Sequence, residues 1–166
     1  MAAISTETRL QNLRHAIRAG ALAVTVLALA RGAFAADAAD ARVKVTSSKS
    51  FEQVSGALQS LVAKNGMMVM AQVDQGKMLS MTGLQLKATL FLVGNPTVGK
   101  QLFEQDHAVG LYVPLRISVY SDGDGKTYVE YDKPSVLLGQ FKNEKIAMIA
   151  QMLDEKVSGL ATMAAQ

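Results

Sequence analysis

Residues 115–132 read LRISVYSDGDGKTYVEYD, and both ends of the stretch alternate. In an extended chain Leu115, Ile117 and Val119 fall on one face, leaving Arg116, Ser118 and Tyr120 on the other. After the gap, Val129 and Tyr131 share a face opposite Tyr128 and Glu130. Asp122-Gly123-Asp124-Gly125 supplies the residues a tight turn favours, so the spacing predicts a β-hairpin of strands 115–120 and 126–132. The same acids do not make a calcium loop. With Gly125 at loop position six, Tyr120 and Tyr131 occupy the two ends, where carboxylates are required.

Working upstream, residues 89–96 read TLFLVGNP. The apolar run 89–93 predicts a central strand buried on both faces. Gly94-Asn95-Pro96 then turns into a helix, with Asn95 at the N-cap and Pro96 at the first helical position, running to near Asp106. Gly94 to Lys100 also fits the G-x4-G-K spacing of a phosphate-binding loop. However, Gln101 stands where a hydroxyl would hold magnesium, and Pro96 lacks one of the N–H donors such a loop presents. A Pro-capped helix start is the reading taken.

Further upstream, residues 42–47 alternate as a strand. Ser50 and Gln53 have capping-box spacing and open a helix carrying Phe51, Val54, Leu58, Leu61 and Val62, which Asn65-Gly66 ends. Residues 67–74 predict a strand, with Met67, Val69, Ala71 and Val73 on one face and Met68, Met70, Gln72 and Asp74 on the other. Residues 75–83 allow a short helix. Downstream, Asn143 caps a final helix whose Ile146, Ile149, Ala150, Leu153, Val157 and Leu160 form an apolar stripe. The order is βαβ(α)βαββα: a single α+β domain without internal repeats.

Of the 166 residues, 1–35 read as a secretory signal. Arg9, Arg14 and Arg18 precede an apolar run at 19–30, and Ala33-Phe34-Ala35 is a cleavage site. Twelve residues of helix rise about 18 Å, short of the roughly 30 Å hydrocarbon core, so no stable membrane span is expected. Residues 36–41 read as a flexible leader and 42–166 as the domain, placed in the periplasm or secreted. The chain has 17 basic and 14 acidic side chains. Arg9, Arg14, Arg18 and Arg31 lie in the signal with Glu7, which leaves 13 of each sign in the mature protein. The basic balance thus belongs to the signal, and a nucleic-acid partner is not indicated. With no cysteine there is no disulfide, thiolate nucleophile or lipid-anchor thiol.

Nine methionines without cysteine raise one metal reading, because thioethers are soft ligands suited to Cu(I). Met68, Met70, Met78 and Met81, with His107 as a nitrogen donor, would be its ligands; the plainer use is core or interface packing. Catalytic constellations are thin. His107 is the one histidine left after signal removal, and neither G-x-S-x-G nor H-E-x-x-H occurs. An enzyme of unspecified reaction is a further reading with no residues to carry it.

Three segments together resemble the domain-of-unknown-function family 302: Leu90-Phe91-Leu92-Val93-Gly94-Asn95-Pro96, Val109 through Ile117 with its Gly110-Leu111-Tyr112-Val113-Pro114-Leu115, and Asp124-Gly125-Lys126 through Val129-Glu130-Tyr131-Asp132-Lys133-Pro134. The resemblance runs from about Val43 to Leu160. It implies a sheet backed by helices, commonly paired as a homodimer, and no agreed activity. Many relatives have a histidine ahead of the Gly-Asn-Pro strand, where this chain has Met78 and Met81. A small-molecule ligand or an interaction surface is the functional expectation, with no resident cofactor. Asn95, Arg116 and Tyr131 are the candidate ligand-binding residues. Arg116 offers a guanidinium fork to an anion, or a cross-strand pair with Glu130, which is the plainer expectation.

Overall fold

A computed structural model describes residues 41–166. The signal and nearly all of the leader lie outside these residues. Ala41 is already part of the domain: it is buried, and its carbonyl accepts the Lys133 N–H at 2.7 Å. Five strands, β1 (Arg42–Ser47), β2 (Met68–Asp74), β3 (Lys87–Gly94), β4 (Leu115–Ser121) and β5 (Thr127–Asp132), form one sheet in the order β1-β5-β4-β3-β2. Every neighbouring pair is antiparallel. The helices are α1 (Phe51–Lys64), α2 (Gln75–Ser80), α3 (Pro96–Phe103), α4 (Pro134–Leu138) and α5 (Glu144–Ala165), with 3-10 turns at His107–Leu111 and Gly139–Phe141. The α+β class stands. The sequence reading had no counterpart for α4 or the two 3-10 turns.

The helix boundaries follow from their caps. At α1, Gln53 N–H donates to Ser50 Oγ at 3.2 Å while Ser50 N–H donates to Gln53 Oε1 at 3.0 Å, and Gly66 stops the helix at a φ of 68° that β-carbon sterics disfavour. Asn143 Oδ1 accepts from Ile146 N–H at 3.1 Å to begin α5. Asp154, midway along α5, accepts the Ser135 N–H at 2.9 Å and so ties α4 to it. The far end of α5 is tied to β1 by Ser47 Oγ, which donates to the Ala165 carbonyl at 2.6 Å.

One sheet face makes the core. Phe91, Val93, Leu115, Ile117, Val119, Val129 and Tyr131 are buried with Val54, Leu58 and Val62 of α1, Leu102 of α3 and the predicted stripe of α5. Burying each such aliphatic side chain contributes roughly 1.5–3 kcal/mol. The 89–93 run departs from expectation on one point. Phe91 and Val93 are buried, but Leu90 and Leu92 on the opposite face are only half-buried. An antiparallel sheet needs helices on one side only, so an apolar run here does not imply two covered faces.

The second departure lies in β2. Val69 pairs with Val93, yet Ala71 pairs with Leu92, because Met70 is an extra, bulged residue. The bulge exchanges faces beyond it. Val69 lies on the core side, Gln72 stands opposite Phe91, and Ala71 and Val73 join Leu92 and Leu90 on the open face. Simple alternation, which put Val69, Ala71 and Val73 together, cannot register the inserted residue.

Candidate functional site

The Gly94-Asn95-Pro96 corner sits where β3 hands over to α3, and each residue there has a mechanical task. Asn95 Oδ1 accepts from Thr97 N–H at 2.8 Å and Val98 N–H at 3.2 Å, capping α3. Its Nδ2 donates to the Gly66 carbonyl at 2.7 Å, fastening this corner to the end of α1. The N–H groups that an anion would seek at this helix start are therefore already engaged by the cap. Asn95 is a structural clamp by its contacts. Gly94 leaves room for Met70: a methyl group on Gly94 would stand 3.0 Å from Met70 Cε, 3.3 Å from its sulfur and 3.5 Å from Pro114 Cβ.

Beside this corner opens a cavity of about 200 Å³. Its walls are Met67 just before β2, Met70 within it, Val98 and Phe103 of α3, Pro114 just before β4 and Leu153 of α5, among others. The bulge puts Met70 here, and Val113–Pro114 is a cis peptide bond. Apart from the engaged Asn95 amide, the lining side chains are apolar. An apolar cavity of about 150 Å³ stays dry and accepts benzene, so this one has room for an aromatic ring or a short acyl chain. No periodicity marks these residues as neighbours. Met67, Phe103, Pro114 and Leu153 come from four segments, and the Gly-Asn-Pro corner is the one local signal for the place.

The open sheet face carries the polar candidates. Arg116 is exposed and, among the described residues, makes no hydrogen bond or ion pair. The expected pair with Glu130 is absent for a reason of register. Glu130 lies opposite Ser118, and it is engaged by Tyr120, whose hydroxyl donates to Glu130 Oε2 at 2.6 Å, and by Arg42 at 3.4 Å. Arg42 also holds Asp132 at 3.4 Å. Lys44 Nζ lies 3.9 Å from the centre of the Tyr128 ring and 5.3 Å from that of Tyr120. Its hydrogen bond with Tyr120 raises the ammonium above the ordinary lysine range, and partial burial followed by the Glu130 hydrogen bond raises the Tyr120 hydroxyl. These groups stay Lys⁺ and neutral phenol at physiological pH. Arg116, Ser118, Leu90, Gln75 and Tyr120 line a shallow recess of about 470 Å³ on this face.

Tyr131 borders the same recess as Arg116, but it is buried and pairs with Val43 and the core residue Ile117. Asn95 belongs to the other cavity, so the three do not converge on one site. The methionines are also divided. Met68 and Met70 lie by Gly94 at one end of the β2–β3 ladder, while Met78 and Met81 follow its Asp74–Thr89 end. At about 3.3 Å per residue the strand from Met70 to Asp74 alone spans roughly 13 Å, so the two pairs stem from opposite ends of β2. His107 is exposed at the start of its 3-10 turn. Among the described residues no cluster of three or more His, Cys, Asp or Glu could hold a metal. The two lures in the sequence have structural occupants: the Asp122–Gly125 run is the β4–β5 turn, closed by Asp122 N–H to the Lys126 carbonyl at 3.2 Å, and the G-x4-G-K stretch is the capped start of α3.

Comparison with known proteins agrees with this architecture. The model of the family "Domain of unknown function DUF302" matches residues 43–164. The crystal structure of an uncharacterized conserved DUF302 protein from Bacillus stearothermophilus superposes with a TM-score of 0.69 at 20% identity, over 76% of this chain and 98% of that one, which bears on the fold alone. Two curated relatives are named fluoride-specific ion channel FluC 1, from Brucella suis and Brucella abortus. Each is 36% identical over 73 residues, which is 43% of this chain. The aligned stretch spans 29% of the first and 27% of the second. Among the described residues no helix is long and apolar enough to cross a membrane.

Proposed function

The chain belongs to the DUF302 family, a family without an assigned activity, and we propose that this member is an exported binding protein that takes a small apolar molecule into the cavity beside Gly94-Asn95-Pro96. The observation carrying this reading is the cavity itself: about 200 Å³ of apolar-walled space at a corner whose hydrogen bonds are otherwise complete. The cavity is half open to solvent, so a ligand can enter, and its apolar walls leave water few partners. The ligand class is an uncharged ring or short acyl chain. The channel name stays with the Brucella proteins, of which less than a third is aligned.

Titration with toluene, followed by amide chemical shifts, tests the reading. Toluene should bind with a dissociation constant of about 1 mM or tighter, moving resonances of Met67, Val98 and Leu153. Val98→Phe, which fills the space from α3, should abolish the shifts while the protein stays folded. Absence of shifts in the parent protein at saturating toluene would end the cavity reading.

A second observation favours self-association. The open face mixes half-buried Leu90 and Leu92 with an unpaired Arg116 and the acids Glu130 and Asp132. Such a face is self-complementary about a twofold axis, where Arg116 of each copy can meet the acids of the other. The protein should therefore sediment as a dimer at micromolar concentration, and Arg116→Glu should weaken the dimer at least tenfold. A monomer at 100 µM (roughly the concentration a weak dimer needs) excludes this face.

A further inference from the structure

Eight methionines fall within the described residues, and they divide sharply by exposure. Met68, Met70, Met78, Met81, Met148, Met152 and Met163 are 39–86% exposed, whereas Met67 is 5% exposed. Two of the eight line the cavity, and they differ in the property that decides thioether chemistry. Met67 is sealed inside. Met70 is 48% exposed, because the bulge lifts it out of the strand alternation and lays it across Gly94. The side chain is thus partly open to solvent while its sulfur and terminal methyl lie against Gly94 at the cavity wall.

We propose that Met70 is a reversible oxidation site that sets whether the cavity accepts an apolar ligand. The inference rests on the cavity reading above. The co-reactant is hydrogen peroxide. The peroxide O–O bond breaks, one oxygen bonds to Met70 Sδ using a sulfur lone pair, and the other leaves as water. Sulfur is oxidised by two electrons and the peroxide is reduced by two, giving the sulfoxide, which sulfoxide reductases return to the thioether.

The geometry explains why the change matters at this methionine. Thioether and cavity walls are alike in polarity, so Met70 rests against Gly94 without a hydrogen-bonding demand. A sulfoxide oxygen is a strong acceptor, and donors at this corner have other partners: one Asn95 Nδ2 hydrogen goes to the Gly66 carbonyl, and the Thr97 and Val98 N–H groups go to Asn95 Oδ1. Turned inward, the oxygen would lie unsatisfied among apolar walls and against any apolar ligand. Turned outward, it draws the side chain away from Gly94 and opens the wall to water. Either arrangement disfavours an apolar occupant. The other six exposed methionines do not line the cavity.

The test combines peroxide titration of the folded protein, peptide mass mapping and toluene titration. Peptide mapping should show oxygen added at Met70 before Met67. Protein oxidised at Met70 should bind toluene at least tenfold more weakly, and reduction by a methionine sulfoxide reductase should restore the affinity. Met70→Leu has no sulfur to oxidise at this position, so peroxide treatment should leave its toluene affinity, whatever its starting value, within twofold of that of the untreated variant. If the reduced parent fails to bind toluene, the cavity reading itself falls and takes this inference with it. If the parent binds but Met70 oxidation leaves the affinity within twofold, the cavity reading survives and the switch is overturned. An equal loss in peroxide-treated Met70→Leu overturns it as well, because the effect would then come from other methionines.

Discussion

Phe91→Ala should cost about 3–5 kcal/mol of folding stability. Phe91 is the largest of the fully buried side chains, at the centre of β3 between Gln72 of β2 and Ile117 of β4. Its ring lies in the layer where α1 and α5 meet the sheet, so truncation leaves a void that no single neighbour can fill. Leu92→Ala is the matched control. Leu92 belongs to the same strand and the same apolar run, yet it is half-buried on the open face. It should cost well under half as much in the monomer, since solvent can take the vacated space. Urea unfolding followed by circular dichroism measures both. For a domain of this size the Phe91 variant should melt about 10 °C or more below the parent. Equal losses for the two variants would mean that both faces of β3 are covered, as the apolar run alone had suggested.

That contrast marks where the sequence was legible. Boundaries set by local chemistry were readable: β1 runs over Arg42–Ser47, α1 over Phe51–Lys64 after its Ser50/Gln53 box, and β4 and β5 flank an Asp-Gly turn. Each depends on residues within four positions of one another, which is the range over which periodicity and capping act. What depended on pairing across the chain was not readable. The Met70 bulge is an offset between β2 and β3, invisible to a pattern that assumes strict alternation. Arg116 escapes Glu130 because register puts Ser118 opposite the acid and Arg42 arrives from β1. The cavity gathers side chains of β2, α3, β4 and α5, and within it the sequence flagged the Gly-Asn-Pro corner and Met70 without linking them to Pro114 or Leu153. Gly-Asn-Pro drew attention for its helix cap, and the cap is real, but the consequence of Gly94 is the space it leaves for Met70.

Glycine carries a second consequence of the same kind, and here the same substitution should act with opposite sign at two helical positions. Gly56 lies on the exposed side of α1, and a β-carbon there would meet nothing within 4 Å. Its backbone is helical, so Gly56→Ala removes unfolded-state freedom without strain and should stabilise the protein by about 0.5–1 kcal/mol. Gly76 is also helical, in α2, but it is buried where α2 folds back on the start of β3. A β-carbon there would stand 2.5 Å from the Leu86 carbonyl oxygen and 3.2 Å from the Ala88 nitrogen. Both are backbone atoms and cannot rotate aside. Gly76→Ala must therefore push α2 off the strand or displace the Lys87 end of β3 from its Ser121 partner. The helix-propensity gain is the same as at Gly56, but the steric cost exceeds it, for a net loss of about 1–3 kcal/mol. Thermal melts of the two variants, run beside the parent, should fall on opposite sides of it. A Gly76→Ala protein as stable as the parent would mean that α2 does not approach β3 this closely, and Asp74, whose Oδ1 accepts the Lys77 N–H at 2.8 Å, would then be left as the main anchor of that short helix.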